Sequence, residues 1–190
     1  MIIKSKSIKT VKGVQKALYY ILTGHNNREE GFVISHCIRG DRALSNQLQN
    51  IDKPEQKVEL TEKRVENMYS QFVQNNENRL IKRENGNVAY HEIISFHKND
   101  TDKLPVETLQ KIARKYIQER SKNSLVVSTM HSDKDHLHIH FVISSVEFAT
   151  GKVVRKTRKE FEQIKLTMER QNRELGLVFS KVNHVKKKPC

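Results

Sequence analysis

One stretch limits this chain more than any other: LVVSTMHSDKDHLHIHFVIS, beginning at Leu125. It carries two apolar runs separated by a short polar segment, Ser132 to Asp135. Runs of this length rich in β-branched residues, broken by turn formers, read as two strands of an antiparallel hairpin. We therefore expect strands at 125–132 and 137–146. Side chains two apart on a strand share a face. Leu137, Ile139, Phe141 and Ile143 then point to one side, and His136, His138 and His140 to the other. On the neighbouring strand Leu125, Val127, Thr129 and His131 share one face. Paired side chains on adjacent strands approach to about 5 Å, and diagonal ones to about 7–8 Å. Histidines from both strands can thus converge on one point.

A single strand histidine is usually a half-buried residue without further role. Four between positions 131 and 140, three of them alternating, fit a metal site better. His131, His138 and His140 are the expected ligands, with His136 left out. Imidazole ligates Zn, Mn, Fe, Ni and Cu alike, so residue type leaves the metal open. Three neutral ligands leave charge uncompensated and coordination positions free, which suits a catalytic site; a structural zinc site usually takes four ligands.

The rest of the chain supplies a frame. Residues 2–8 read as a first strand. Thr10 precedes a helix over 11–22 that Gly24 stops. A short strand at 31–36 follows, and residues 40–58 read as polar and irregular. Helices are expected at 60–74, with Thr61 as a cap, at 106–119 and at 158–175. A strand is expected at 88–96, then a polar loop at 97–104. Mixed strands and helices with a central hairpin predict an α+β fold: a mainly antiparallel sheet flanked by helices. With 190 residues and no Pro- or Gly-rich linker, residues 1–190 read as one domain. Cys190 as the last residue suits a domain trimmed from a longer protein.

Charge narrows the partner. Lys and Arg number 35 against 22 Asp and Glu, a formal charge of +13. Neutralising phosphates releases counterions, so nucleic acid is the natural partner. No run approaches the roughly 18 apolar residues of a membrane span, and the N-terminus lacks a signal-peptide core. Cys37 and Cys190 form no motif, which fits a reducing cytoplasm. Lys152, Arg155, Lys156 and Arg158, near the start of the last helix, and Lys16 and Arg28 are candidate phosphate contacts.

The string His-x-Asp-x4-His-x-His, His131 to His140, resembles the third motif of MobA-type mobilisation relaxases. These are HUH endonucleases, in which two histidines flank a hydrophobic residue, here His138-Ile139-His140. AYHEIISF, residues 89–96, resembles the family's second motif. KGVQKALYYILTG, near the start, resembles the first, where the nucleophilic tyrosine lies. The resemblance implies strand-specific nicking and rejoining of single-stranded DNA at a transfer origin, a hairpin plus nic site. A 5′-phosphotyrosine would be the intermediate. It also implies a divalent ion, Mn or Mg first, with Zn, Ni or Co as other choices. Accessory relaxosome proteins and a coupling protein are the implied partners.

Two tyrosines compete for the nucleophile. Each helical residue advances about 100°. The apolar stripe of Val11, Val14, Leu18 and Ile21 leaves Tyr20 nearly opposite, beside Lys16. Tyr19 lies nearer the stripe and reads as a packing residue. The family pattern, tyrosine followed by an aliphatic residue, also fits Tyr20-Ile21. Metal-bound histidines usually give their second N–H to a carboxylate or carbonyl. Asp133, Asp135 and Glu92 are the candidates, although Asp133 and Asp135 also suit a simple turn. His91 and Glu92 point to opposite faces, so at most one faces the site. Two other readings stay open. One is a rolling-circle replication initiator of the same class, although such initiators commonly place the tyrosine after the histidines. The other is a basic DNA-binding protein with a structural metal.

Overall fold

The computed structural model describes residues 1–24, 31–132 and 137–182. Five strands, β1 (Ile2–Ile8), β2 (Val33–His36), β3 (Ala89–Ser95), β4 (Ser124–Ser132) and β5 (Leu137–Glu147), form one sheet in the order β1-β3-β5-β4-β2. Every neighbouring pair is antiparallel. The fold is the expected α+β arrangement.

β4 and β5 are buried almost end to end. A strand can be buried on both faces only when both faces of its sheet are covered. Helices α4 (Val106–Ser121) and α5 (Arg158–Glu174) cover one face, where Leu109, Ile112, Tyr116, Ile164 and Met168 join Ile139, Phe141 and Ile143 in one apolar cluster. Helices α1 (Val11–Thr23) and α3 (Pro54–Glu77) belong to the other. There Val14, Leu18, Ile21, Met68 and Phe72 cluster with Leu125, Val127 and Val142.

Local chemistry explains the element ends. The Thr10 side chain accepts the Gly13 N–H at 3.0 Å and caps α1. Thr157 and Glu160 form a reciprocal capping box at the start of α5. Three expectations need correction. Residues 40–58 are not irregular: they contain α2 (Asp41–Gln49) and the first turn of α3. α3 begins at Pro54, whose fixed φ suits a first helical position. Thr61 is not a cap but lies inside the helix, its hydroxyl donating to the Lys57 carbonyl at 2.7 Å. These segments are largely exposed and polar, so they carry no apolar stripe to read. Residues 97–104, expected as loop, hold a 3-10 turn, Lys98–Lys103.

α2 is held by charge more than by apolar area. Its buried residue is Asp41, which accepts two hydrogen bonds from Arg64 of α3, at 2.5 and 2.8 Å. Burial raises the Asp41 pKa, but hydrogen bonds from Arg64 and Ser35 and the Arg64 charge outweigh it, and the net shift is downward from 3.8. Removing one partner strands the other as an unpaired buried charge, at a cost of about 3–5 kcal/mol. Arg64→Leu is expected to lower unfolding free energy by that order in denaturant titration. Because the Asp41 pKa is lowered on folding, its contribution in the unmodified protein is full above about pH 3.8 and is lost as the pH falls below that value.

Candidate metal centre

Antiparallel register brings the histidines together. His131 of β4 pairs with His138 of β5, and Thr129 pairs with His140, so His131 and His140 are diagonal neighbours. Ring centroids lie 4.4 Å apart for His131 and His140, 4.7 Å for His138 and His140, and 5.9 Å for His131 and His138. All three are buried, and one ligand atom from each lies within 4.8 Å of the others. This group could hold one metal ion.

Protonation states suit that role. Burial, then His131, His138 and His91, push the His140 pKa down to about 2, so its imidazole is neutral at neutral pH. A metal ligand must be in that form. The His140 Nε2 atom is buried and has no hydrogen-bond partner. His131 Nε2 lies 2.9 Å from the Ile21 carbonyl, in the last turn of α1. A carbonyl only accepts, so Nε2 carries a proton there, and Nδ1 is the nitrogen left to face an ion. Carbonyls of a last helical turn lack intrahelical donors, which makes Ile21 a ready acceptor.

The same contact fastens α1 over the cluster. Gly24 permits it, since a Cβ there would stand 2.8 Å from the Tyr20 carbonyl and 2.9 Å from His131 Cε1. Tyr20, four residues earlier, projects its ring over the imidazoles, with centroids 5.5 Å from His140, 5.7 Å from His131 and 6.2 Å from His91. Tyr19 is not the packing residue that was expected. It is 48% exposed, against 50% for Tyr20, and lies outside the buried stripe of α1, which runs through Val14, Leu18, Ile21 and Leu22.

Glu92 is not beside the metal site. It pairs with Phe141 and faces α4 and α5, whereas the histidines face α1. It is fully buried, accepting hydrogen bonds from Ser5 at 2.8 Å, Tyr116 at 2.6 Å and Arg120 at 3.0 Å. Burial and the Glu92 charge hold the Tyr116 pKa well above its usual range. The residue that does face the site is His91, whose Nε2 lies 2.9 Å from His140 Nδ1. Alternation along AYHEIISF offered this choice; the register with β5 decides it.

The basic residues divide. Lys16 is exposed one turn before Tyr20 on α1. Lys152 and Arg155 line a cleft of about 390 Å³ with Lys9, Arg79 and Arg83. Lys156 lies in a separate hollow with Lys122, and Arg158 opens α5. Lys152, Arg155, Lys156 and Arg158 all follow the far end of β5, so they are not brought to the histidines. Two lysines that the sequence did not single out are nearer. Lys6 pairs with His91, and Lys4 with Ile93, on edge strand β1. Their alternation in IIKSKSI was the available signal. Arg28, Asp133, Asp135 and His136 lie outside the described residues.

Fold and cluster together define an α+β protein with a candidate three-imidazole metal centre. The family model described as relaxase, MobA/VirD2-like, nuclease domain, matches residues 45–177. The chain belongs to this family. The matched stretch includes His91, His131, His138 and His140, while Tyr19 and Tyr20 precede it. Protein rlx of Staphylococcus aureus is 33% identical over 103 residues, which are 52% of this chain and 30% of that protein. The chain thus spans well under two thirds of that relative. The Mn-bound MobM relaxase domain in complex with plasmid pMV158 oriT DNA, crystallised at pH 4.6, has a TM-score of 0.61 at 15% identity, covering 100% of this chain and 95% of that one. A second Mn-bound MobM complex, with a 3′-thiophosphate, gives 0.60 at 15% identity over the same shares. At such identity the likeness is one of fold. No helix among the described residues is long and apolar enough to cross a membrane.

Glu92→Gln separates the two faces of the sheet. It is expected to destabilise the protein by about 3–5 kcal/mol, through the unpaired Arg120 charge, and to leave Mn²⁺ affinity at 25 °C within about twofold, since Glu92 does not touch the imidazoles. Thermal unfolding and calorimetric Mn²⁺ titration measure the two effects.

Proposed function

We propose that this chain is the nuclease domain of a mobilisation relaxase that nicks and rejoins one strand at a plasmid or integrative-element transfer origin in the cytoplasm. The single observation that carries the reading is the Tyr20 ring standing within 5.7 Å of the His131 and His140 rings. The donor set fits a catalytic rather than a structural ion: three imidazoles, one with a buried, unpartnered Nε2. His131, His138 and His140 would hold a divalent ion, with Mn or Mg the first choices. When bound, it supplies Lewis-acid polarisation of a phosphate oxygen.

The protein's own residues supply the rest. Tyr20 is the nucleophile. Its hydroxyl oxygen bonds to phosphorus while the bond from phosphorus to the 3′ oxygen breaks. The tyrosine proton ends on that 3′ oxygen, giving a free 3′-OH and a 5′-phosphotyrosine. Attack by a 3′-OH reverses the step and reseals the strand. One phosphodiester replaces another, so no external energy source is needed. Lys4, Lys6 and Lys16 act on the DNA backbone beside the cleavage point. Lys152, Arg155, Lys156 and Arg158 contact phosphates farther along, where an origin hairpin extends. Such contacts position the strand without reading bases. The order of tyrosine before histidines favours this reading over a replication initiator.

The test is covalent adduct formation. The chain is incubated with single-stranded origin oligonucleotides and Mn²⁺, and the products are resolved on a denaturing gel. The expected result is a protein–DNA adduct that mass mapping assigns to Tyr20. Tyr20→Phe, His138→Ala and chelation of the metal should each abolish it, while Tyr19→Phe should retain it. An adduct that survives Tyr20→Phe and disappears in Tyr19→Phe overturns the nucleophile assignment. Cleavage by His138→Ala at the unmodified rate overturns the metal role. DNA binding without cleavage of any origin substrate favours the structural-metal binding protein.

A further inference from the structure

We propose that His91 is a positioning residue: it accepts a hydrogen bond from His140 Nδ1–H and thereby fixes the tautomer that presents His140 Nε2 to the metal. The inference rests on the metal-centre reading above and adds a residue to it.

The argument is one of proton counting. A neutral imidazole carries one N–H and one lone pair. The His140 Nε2 atom is the buried, unpartnered one, so it is the atom available to an ion. If Nε2 gives its lone pair to a metal, Nδ1 must hold the proton. The atom facing Nδ1 is His91 Nε2, at 2.9 Å. His91 must then accept through Nε2 and keep its own proton on Nδ1. Metal-bound histidines usually place a carboxylate or backbone carbonyl in this position. Among the described residues no carboxylate bonds to His140, and the adjacent acid, Glu92, is committed to Arg120 and Tyr116 on the opposite face.

The position of His91 is constrained from three sides. Pairing with Val142 on β5 sets its place one step from His140 on the same face. Its ring meets that of His140 edge to edge, with centroids 5.2 Å apart and planes 26° from parallel, the arrangement an in-plane N–H···N bond needs. The edge contact with Tyr20 closes the third side. His91 thus ties together the ligand, the proposed nucleophile and the β3 strand.

The test is Mn²⁺ titration calorimetry on the full chain, combined with long-range ¹H–¹⁵N spectra of the metal-free protein. His91→Leu removes the acceptor at similar size, and His91→Gln restores an acceptor through its side-chain carbonyl. His91→Leu is expected to weaken Mn²⁺ binding about 10- to 100-fold, and His91→Gln to recover most of the loss. In the unmodified protein the His140 signals should show a protonated Nδ1 and a bare Nε2. Mn²⁺ affinity unchanged in His91→Leu, or equally weak in Leu and Gln variants, overturns the proposal. So does an unmodified protein with its His140 proton on Nε2, a readout that needs no variant to fold. His131→Ala distinguishes the two levels: if it too binds Mn²⁺ normally, the metal-centre reading has failed rather than the role of His91.

Discussion

The antiparallel register of β4 on β5 is the constraint on which the rest depends. It sets His131 against His138 and leaves His140 one step away on the same face. A slip of one residue would turn the His138 and His140 side chains to the α4 face and expose Ile139 and Phe141 to the imidazole side. The cost of that slip is large because both faces are buried. Ile139, Phe141 and Ile143 are fully enclosed beneath α4 and α5, and Val127 and Val142 beneath α1 and α3. Packing on one face therefore holds the ligands in place on the other.

The two sides of the sheet solve their polar problems differently. Beneath α4, a buried carboxylate is neutralised by a guanidinium and a tyrosine hydroxyl, closing a network of Glu92, Arg120, Tyr116 and Ser5. Beneath α1, four imidazoles crowd together, and His140 Nδ1 meets His91 Nε2 rather than a carboxylate. Burial and mutual repulsion keep His140 neutral, and lower the His91 pKa as well. An imidazole cluster with an orphaned ring nitrogen on His140 is poorly satisfied by itself and well satisfied by a cation. That imbalance separates a candidate site from a structural network, even though both are built on adjacent residues, His91 and Glu92, of one strand.

Much of this was legible in the residues. Alternation in the hairpin separates ligands from core, and it does so because strand geometry has a period of two. The stripe on α1 follows from the helical period, although Tyr19, read as a packing residue, is as exposed as Tyr20. Polar segments were not legible: α2 is docked through Asp41 and Arg64, 23 residues apart, and no local pattern announces such a pair. The basic residues near α5 read as one cluster, yet the end of β5 carries them away from the histidines. Lys4 and Lys6 pass unnoticed in an edge strand until pairing sets them beside His91 and Ile93.

The sequence by itself determined which residues can serve as ligands and which faces they occupy, since both follow from side-chain chemistry and backbone period. Tertiary structure decided the two matters that need contacts between distant segments. One is the partner of His140: β3 lies 49 residues from it, and pairing chose His91 over Glu92. The other is the approach of Tyr20. A helix wheel gives a direction around an axis but no position for that axis. The bond from His131 to the Ile21 carbonyl, made possible by Gly24, fixes the end of α1 over the imidazoles and brings the tyrosine with it.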